Sequence, residues 1–223
     1  MKKYSYIGIS FIVLIFGIWV VSEYMSRNAS NELVFIKQAG ESKRKVPDFK
    51  MINQHNDTIT NKDLLGKVYV VEFFFATCPT ICPIMNENLV KVQNEFFGNP
   101  NFAIASFTIN PENDTPKVLK EYARENDITH ANWHLLTGDR KKIYDLARKG
   151  FSLYAREDSK AEGGFEHSGF FALIDKNGYL RSRRDEQGNP IVYYEGATPY
   201  NSKKTNRGKQ QIDWLIKDIK KLL

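Results

Sequence analysis

Val68-Tyr69-Val70-Val71-Glu72-Phe73-Phe74-Phe75 is β-branched or aromatic at every position but one. Such a run reads as a buried strand. It breaks at Cys78-Pro79-Thr80-Ile81-Cys82-Pro83. Beyond that loop Ile84, Leu89, Val90, Val92 and Phe96 fall among Asn, Glu and Lys in a helix-compatible pattern. The order of strand, proline-punctuated loop and helix places two thiols, the only cysteines of the chain, on a strand-to-helix connection.

The prolines predict how the loop is built. A residue preceding proline is pushed out of the α region, so Cys78 and Cys82 are expected to be extended. Pro83 suits the first helical position, where its missing N–H costs nothing. Cys82 then lies beside the N-cap, where the orphan N–H groups and the helix dipole favour thiolate over thiol. Three uses of such a pair compete. A structural staple closing so small a loop is worth roughly 2 kcal/mol, against about 4.7 kcal/mol for a loop of about 100 residues. A dithiol redox site is the second use, although its familiar spacing is two residues rather than three. A soft-metal site is the third, and it needs at least one further ligand.

Four histidines are available. His55 lies in Asn53-Gln54-His55-Asn56-Asp57, which has the composition of a hairpin turn at the surface. His130 and His134 flank Ala131-Asn132-Trp133 at the start of a short apolar run, where a structural role is expected. His167 follows Gly163-Gly164 and stands before Ser168-Gly169 at the entrance of an apolar strand, Phe170 to Ile174, that turns at Asp175-Lys176-Asn177-Gly178. Taken alone, a histidine at a strand entrance is more often structural than functional.

Three separated segments together resemble the Sco/SenC family: the Cys78–Pro83 peptide, Thr108-Ile109-Asn110-Pro111-Glu112-Asn113-Asp114-Thr115-Pro116, and His167-Ser168 before its strand. The resemblance runs from about Val46 to Leu223. It implies a thioredoxin-like domain in which Cys78, Cys82 and His167 bind one copper ion. It also implies a role in assembling the binuclear copper centre of cytochrome c oxidase subunit II, with a thiol–disulfide reductant as a second partner. Donor chemistry agrees, because thiolates select Cu(I) and an added imidazole also suits Cu(II). Structural zinc normally takes four protein ligands and iron–sulfur clusters commonly need four cysteines. The chain departs from the family at Thr80 and Ile81, where relatives often carry an acid, and at Glu166, where they often have Asp. Glu166 would be either an orienting partner of the His167 imidazole or a surface carboxylate. The competing function is a thiol–disulfide oxidoreductase, with Cys78 and Cys82 as the redox-active pair.

From Tyr4 to Val21 there is no charged side chain. As a helix this stretch would span about 27 Å, enough for a hydrocarbon core. Lys2 and Lys3 precede it and Glu23 follows, which favours residues 1–3 in the cytoplasm, an anchor at 4–21 and an extracytoplasmic, periplasmic or equivalent, C-terminal domain. A signal peptide cleaved near Val20-Val21-Ser22 is the rival, but the apolar run exceeds the usual h-region of about 7–15 residues. Residues 22–45, polar and of mixed charge, read as a linker, and 46–223 as the domain.

Within the domain, strands at Phe102–Thr108 and Trp133–Leu136 alternate with helices expected from Asp114-Thr115-Pro116 and from Asp139. Val46–Phe49 is expected as an edge segment, Lys62–Leu65 as a short helical turn, and Phe170–Arg183 as a hairpin. Ile212, Leu215, Ile216 and Ile219 form one stripe of a C-terminal helix. The pattern predicts a three-layer α/β sandwich of thioredoxin type behind one transmembrane helix. A net charge of +6 is compatible with anionic lipid or an acidic protein. No recognised nucleic-acid motif accompanies it, so nucleic acid is not expected.

Overall fold

The computed structural model describes residues 10–22, 32–37, 42–157, 165–202 and 210–223, without the side chains of residues 157, 166 and 167. Residues 10–22 form a helix, α1, with an exposed apolar surface. Among the described residues no helix is long and apolar enough to cross a membrane. Positions 4–9 of the expected anchor lie outside the described residues.

The sheet is centred on β4 (Val68–Phe74), every residue of which is buried. β4 pairs in parallel with β5 (Phe102–Thr108), and β5 with β6 (Trp133–Leu136). On its other side β4 pairs antiparallel with β9 (Phe170–Ile174), followed by β10 (Leu180–Ser182) and β1 (Val34–Phe35). β11 (Tyr194–Glu195) also pairs with β9. The segment expected to be a linker therefore contributes an edge strand. Leu33 and Ile36 flank β1 and are buried, so four apolar residues within a polar stretch suffice to recruit it. Val46–Phe49 makes no strand of its own. It leads into the hairpin of β2 (Lys50–Ile52) and β3 (Thr58–Thr60), and a 3-10 turn over Asn61–Leu64 follows.

Side chains alternate across a strand. Phe73 accordingly meets Phe107 and Phe151 on one face, while Phe74 meets Tyr122 on the other. The Phe74 face carries α2 (Cys82–Glu95), α3 (Pro116–Glu125) and α5 (Ile212–Leu222). Gln93 and Asn86 of α2 bond the carbonyls of Asp127 and Asn126 beyond α3, and α2 packs on α5. The opposite face carries α4 (Arg140–Asp145), which continues into a π-helical turn over Leu146–Gly150. Thr115 caps α3 through Val118 N–H, and Asp139 caps α4 through Lys142 N–H. Asp218, fully buried on α5, receives Arg183 Nε at 2.8 Å and the Tyr194 hydroxyl at 2.8 Å, which pins the last helix to the sheet.

Candidate metal centre

The Cys loop leaves the C-terminal end of β4, and two polar ties set its course. Asp114, with no exposed surface, accepts Ala76 N–H at 3.0 Å through the same oxygen that takes the Thr108 hydroxyl. Cys78 N–H then turns back on the Phe75 carbonyl at 3.2 Å. The Thr108–Pro116 segment is thereby a clamp on the loop. In the sequence Asp114 stands only in that segment and in the helix-start signature Asp114-Thr115-Pro116, with nothing to mark it as the clamp. Burial raises its carboxyl above the usual range, opposed by the Thr108 and Ala76 hydrogen bonds.

Cys82 is not extended. It is the first residue of α2, with Ile81 in the α region and the Ile81 carbonyl accepting Met85 N–H at 2.9 Å. Proline's restriction on its predecessor yields here to the first helical hydrogen bond and to burial of the Cys82 side chain, 2% exposed. The expected thiolate is also not what the site favours. Burial first, then the hydrogen bond and charge of Cys78, push the Cys82 thiol far above its ordinary value. A backbone hydrogen bond at Phe75 opposes the shift, and Glu72 adds to it. Desolvation outweighs the helix N-terminus. Both cysteines are buried and free rather than joined in a disulfide. Cys78 Sγ also lies 3.8 Å from Thr80 Oγ1.

Beneath the loop, Glu72 accepts the Ser106 hydroxyl at 2.6 Å, and Ser106 accepts Trp133 Nε1 at 3.0 Å. This buried chain joins three strands. A lone Glu inside an apolar run was its only trace in the sequence.

His167 closes β8 (Phe165–His167), which pairs with β7 (Ala155–Glu157) so that Ala155 faces His167. The structure brings this backbone to the Cys loop on both sides of the histidine. Phe165 packs on Phe75 with ring centroids 5.2 Å apart. At Gly169 an added Cβ would stand 3.5 Å from Ile81 Cδ1 and 2.7 Å from Ala197 Cβ. Asn88 of α2 secures that contact by donating to the carbonyls of Gly196 and Thr198, both at 2.9 Å. The side chains of His167 and Glu166 lie outside the described residues, so their directions are not part of the geometry.

The other histidines are engaged elsewhere. His55 sits exposed in the β2–β3 turn. His130 is buried between the Phe96 carbonyl and Asn132 N–H. His134 lies on β6, and burial lowers its pKa to about 4. Among the described residues no cluster of three or more His, Cys, Asp or Glu could hold a metal ion.

A parallel β–α–β core extended by antiparallel strands, with two thiols at the strand-to-helix corner, defines a thioredoxin-like dithiol domain. The family profile SCO1/SenC matches residues 37–199, well over half of the chain, and this protein belongs to that family. The SCO1 protein homolog of Bacillus subtilis is 32% identical over 135 residues, covering 60% of this chain and 69% of that protein. The structure of BsSco, described as having a disulfide switch and as a member of the Sco family of cytochrome c oxidase assembly proteins, superposes with a TM-score of 0.63. Its identity is 27%, with 84% of this chain and 96% of that chain covered. ScoI of Bradyrhizobium japonicum, solved with copper bound, matches at a TM-score of 0.59 and 20% identity. It covers 80% of this chain and 99% of that one, a likeness that carries the fold alone.

Proposed function

We propose that this protein is a membrane-anchored copper chaperone that helps assemble the binuclear copper centre of cytochrome c oxidase subunit II, with Cys78, Cys82 and His167 as the ligands of its cargo. The observation that carries the reading is the pair of buried, free cysteines at a corner against which the chain packs on both sides of His167, through Phe165 on Phe75 and Gly169 near Ile81. Family membership and the description of BsSco as an assembly protein support it.

The apolar corner suits a soft monovalent ion. Burial disfavours the Cys82 thiolate until a cation compensates its charge, so loading with Cu(I) would release the Cys82 proton to solvent. Delivery then exchanges these sulfurs for thiolates of the receiver. His167 adds the harder donor that Cu(II) prefers. Residues 4–21 would anchor the chain with residues 1–3 in the cytoplasm, leaving 46–223 on the extracytoplasmic side at the end of segment 22–45.

The second reading is a thiol–disulfide oxidoreductase, favoured by the hydrogen bond between the two thiols and by the disulfide switch described for BsSco. His167→Ala separates the two. In the chaperone the variant binds Cu(II) much more weakly and Cu(I) somewhat more weakly, and oxidase activity falls in cells carrying only the variant. Dithiol exchange would not need the imidazole. Unchanged copper stoichiometry in both oxidation states would remove His167 from the site and favour the oxidoreductase.

A further inference from the structure

Where β5 ends, the surface carries a cluster of cations anchored through Tyr144 to the Ile109 carbonyl. Arg140, Lys141, Arg148 and Arg156 line a shallow depression of about 580 Å³ together with Asp139 and Tyr144. The cations are held in place rather than dispersed. Arg140 and Arg148 lie over the Tyr144 ring at 5.6 and 5.3 Å from its centroid. Tyr144 is itself fixed by its hydroxyl donating to the Ile109 carbonyl at 3.0 Å. Arg148 also donates from Nε and Nη2 to the Ala155 carbonyl, at 3.2 and 3.0 Å.

That carbonyl joins the depression to the metal centre, because Ala155 is the cross-strand partner of His167. The neighbouring Tyr154 bonds Ser168 through both backbone groups. It carries Arg156 over its ring at 5.3 Å and leaves 46% of its surface exposed. A contiguous arginine–tyrosine surface thus runs from α4 to the residue after His167. Among the described residues, Glu112 meets Arg140 at 3.1 Å, and Asp145 is shared between Lys141 and Lys149.

We propose that this face docks an acidic protein surface, that of the copper receiver, and so holds the receiver's thiolates over Cys78 and Cys82. The inference rests on the copper-delivery reading. Preset arginines and exposed tyrosine are the side chains that carry binding energy at interfaces, and an adjoining cationic field speeds encounter with an acidic partner. Packing on tyrosine rings lowers the entropy lost when guanidinium groups meet carboxylates.

The test uses the full-length chain in detergent micelles and, as receiver, the copper-free extramembrane domain of subunit II of the cognate oxidase. A patch variant combines Arg140→Glu, Lys141→Glu and Arg156→Glu. A control of equal charge change combines Lys62→Glu, Lys117→Glu and Lys120→Glu, all exposed and away from the depression. Copper stoichiometry measured in both checks that each variant folds and loads. The patch variant is expected to lose about tenfold or more in receiver affinity and copper-transfer rate, and the unaltered chain to show the same trend as salt is raised. The control is expected to stay within about twofold, the change that screened distant charges allow. Equal losses in both variants, or none in either, overturn the docking face while leaving copper delivery standing. Equal receiver affinity, with the patch variant alone losing crosslinks to phosphatidylglycerol in nanodiscs, assigns the face to lipid and overturns the proposal. A loaded, unaltered chain that transfers nothing to subunit II sinks the client reading and the docking face together.

Discussion

At the scale of single residues, Asp114 decides the shape of the cysteine corner. It is fully buried and satisfies Ala76 N–H and the Thr108 hydroxyl. Asp114→Ala strands both donors and is expected to cost about 2–3 kcal/mol in urea unfolding, with weaker copper retention. A variant as stable as the parent would remove the clamp from the account. His134 gives the protein a pH dependence. Its folded pKa, about 4, lies below the ordinary histidine value of 6.5, because burial disfavours the imidazolium and the charges of Lys67 and His55 add to that, against Asp63 and Asp57. The unfolded chain therefore binds the extra proton first as pH falls. The associated stability is complete above pH 6.5 and is lost on acidification toward and below pH 4, on the order of 3 kcal/mol. His134→Leu should flatten the slope of unfolding free energy between those pH values. An unchanged slope would show that another group titrates there.

At the scale of elements, close packing at Gly169 joins the Phe165–Phe75 contact in keeping β8 and β9 against the Cys loop. Gly169 has no room for a side chain, since its Cβ would meet Ala197 Cβ at 2.7 Å. Gly169→Ala is expected to destabilise the fold by about 1–3 kcal/mol and to weaken copper binding by moving the His167 strand. Adding Ala197→Gly to that variant should recover most of both losses, measured by thermal melts and copper stoichiometry. Failure of the pair to recover would mean that the contact does not set the strand's position. The elements themselves were largely legible: the strands at 68–75, 102–108 and 133–136, the caps at Thr115 and Asp139, and the terminal helix stripe follow from periodicity and capping chemistry. Less legible was the buried face of α2, where Asn86, Asn88 and Gln93 sit inside with Met85, Leu89 and Val92. Those amides reach loop carbonyls far along the chain, and hydrophobic spacing carries no trace of such partners.

At the scale of the whole molecule, the proposed anchor would set the compartment in which the proposed copper chemistry takes place. The mature protein is expected to retain its N-terminal apolar segment, and N-terminal sequencing of membrane-extracted protein checks this. A sequence beginning near Glu23 would establish cleavage instead. By itself the amino-acid sequence determined the α/β alternation, the thiol pair at a strand-to-helix corner and the family, because these rest on local periodicity, turn chemistry and short motifs. Tertiary structure alone decided that Val34–Phe35 joins the sheet, that Asp114 clamps the loop, and that Cys82 enters the helix buried, where desolvation disfavours its thiolate. Each of these turns on desolvation and on partners far away in sequence. Local preference at the Cys82–Pro83 junction pointed to an extended thiolate, and burial beside Cys78 outweighed it.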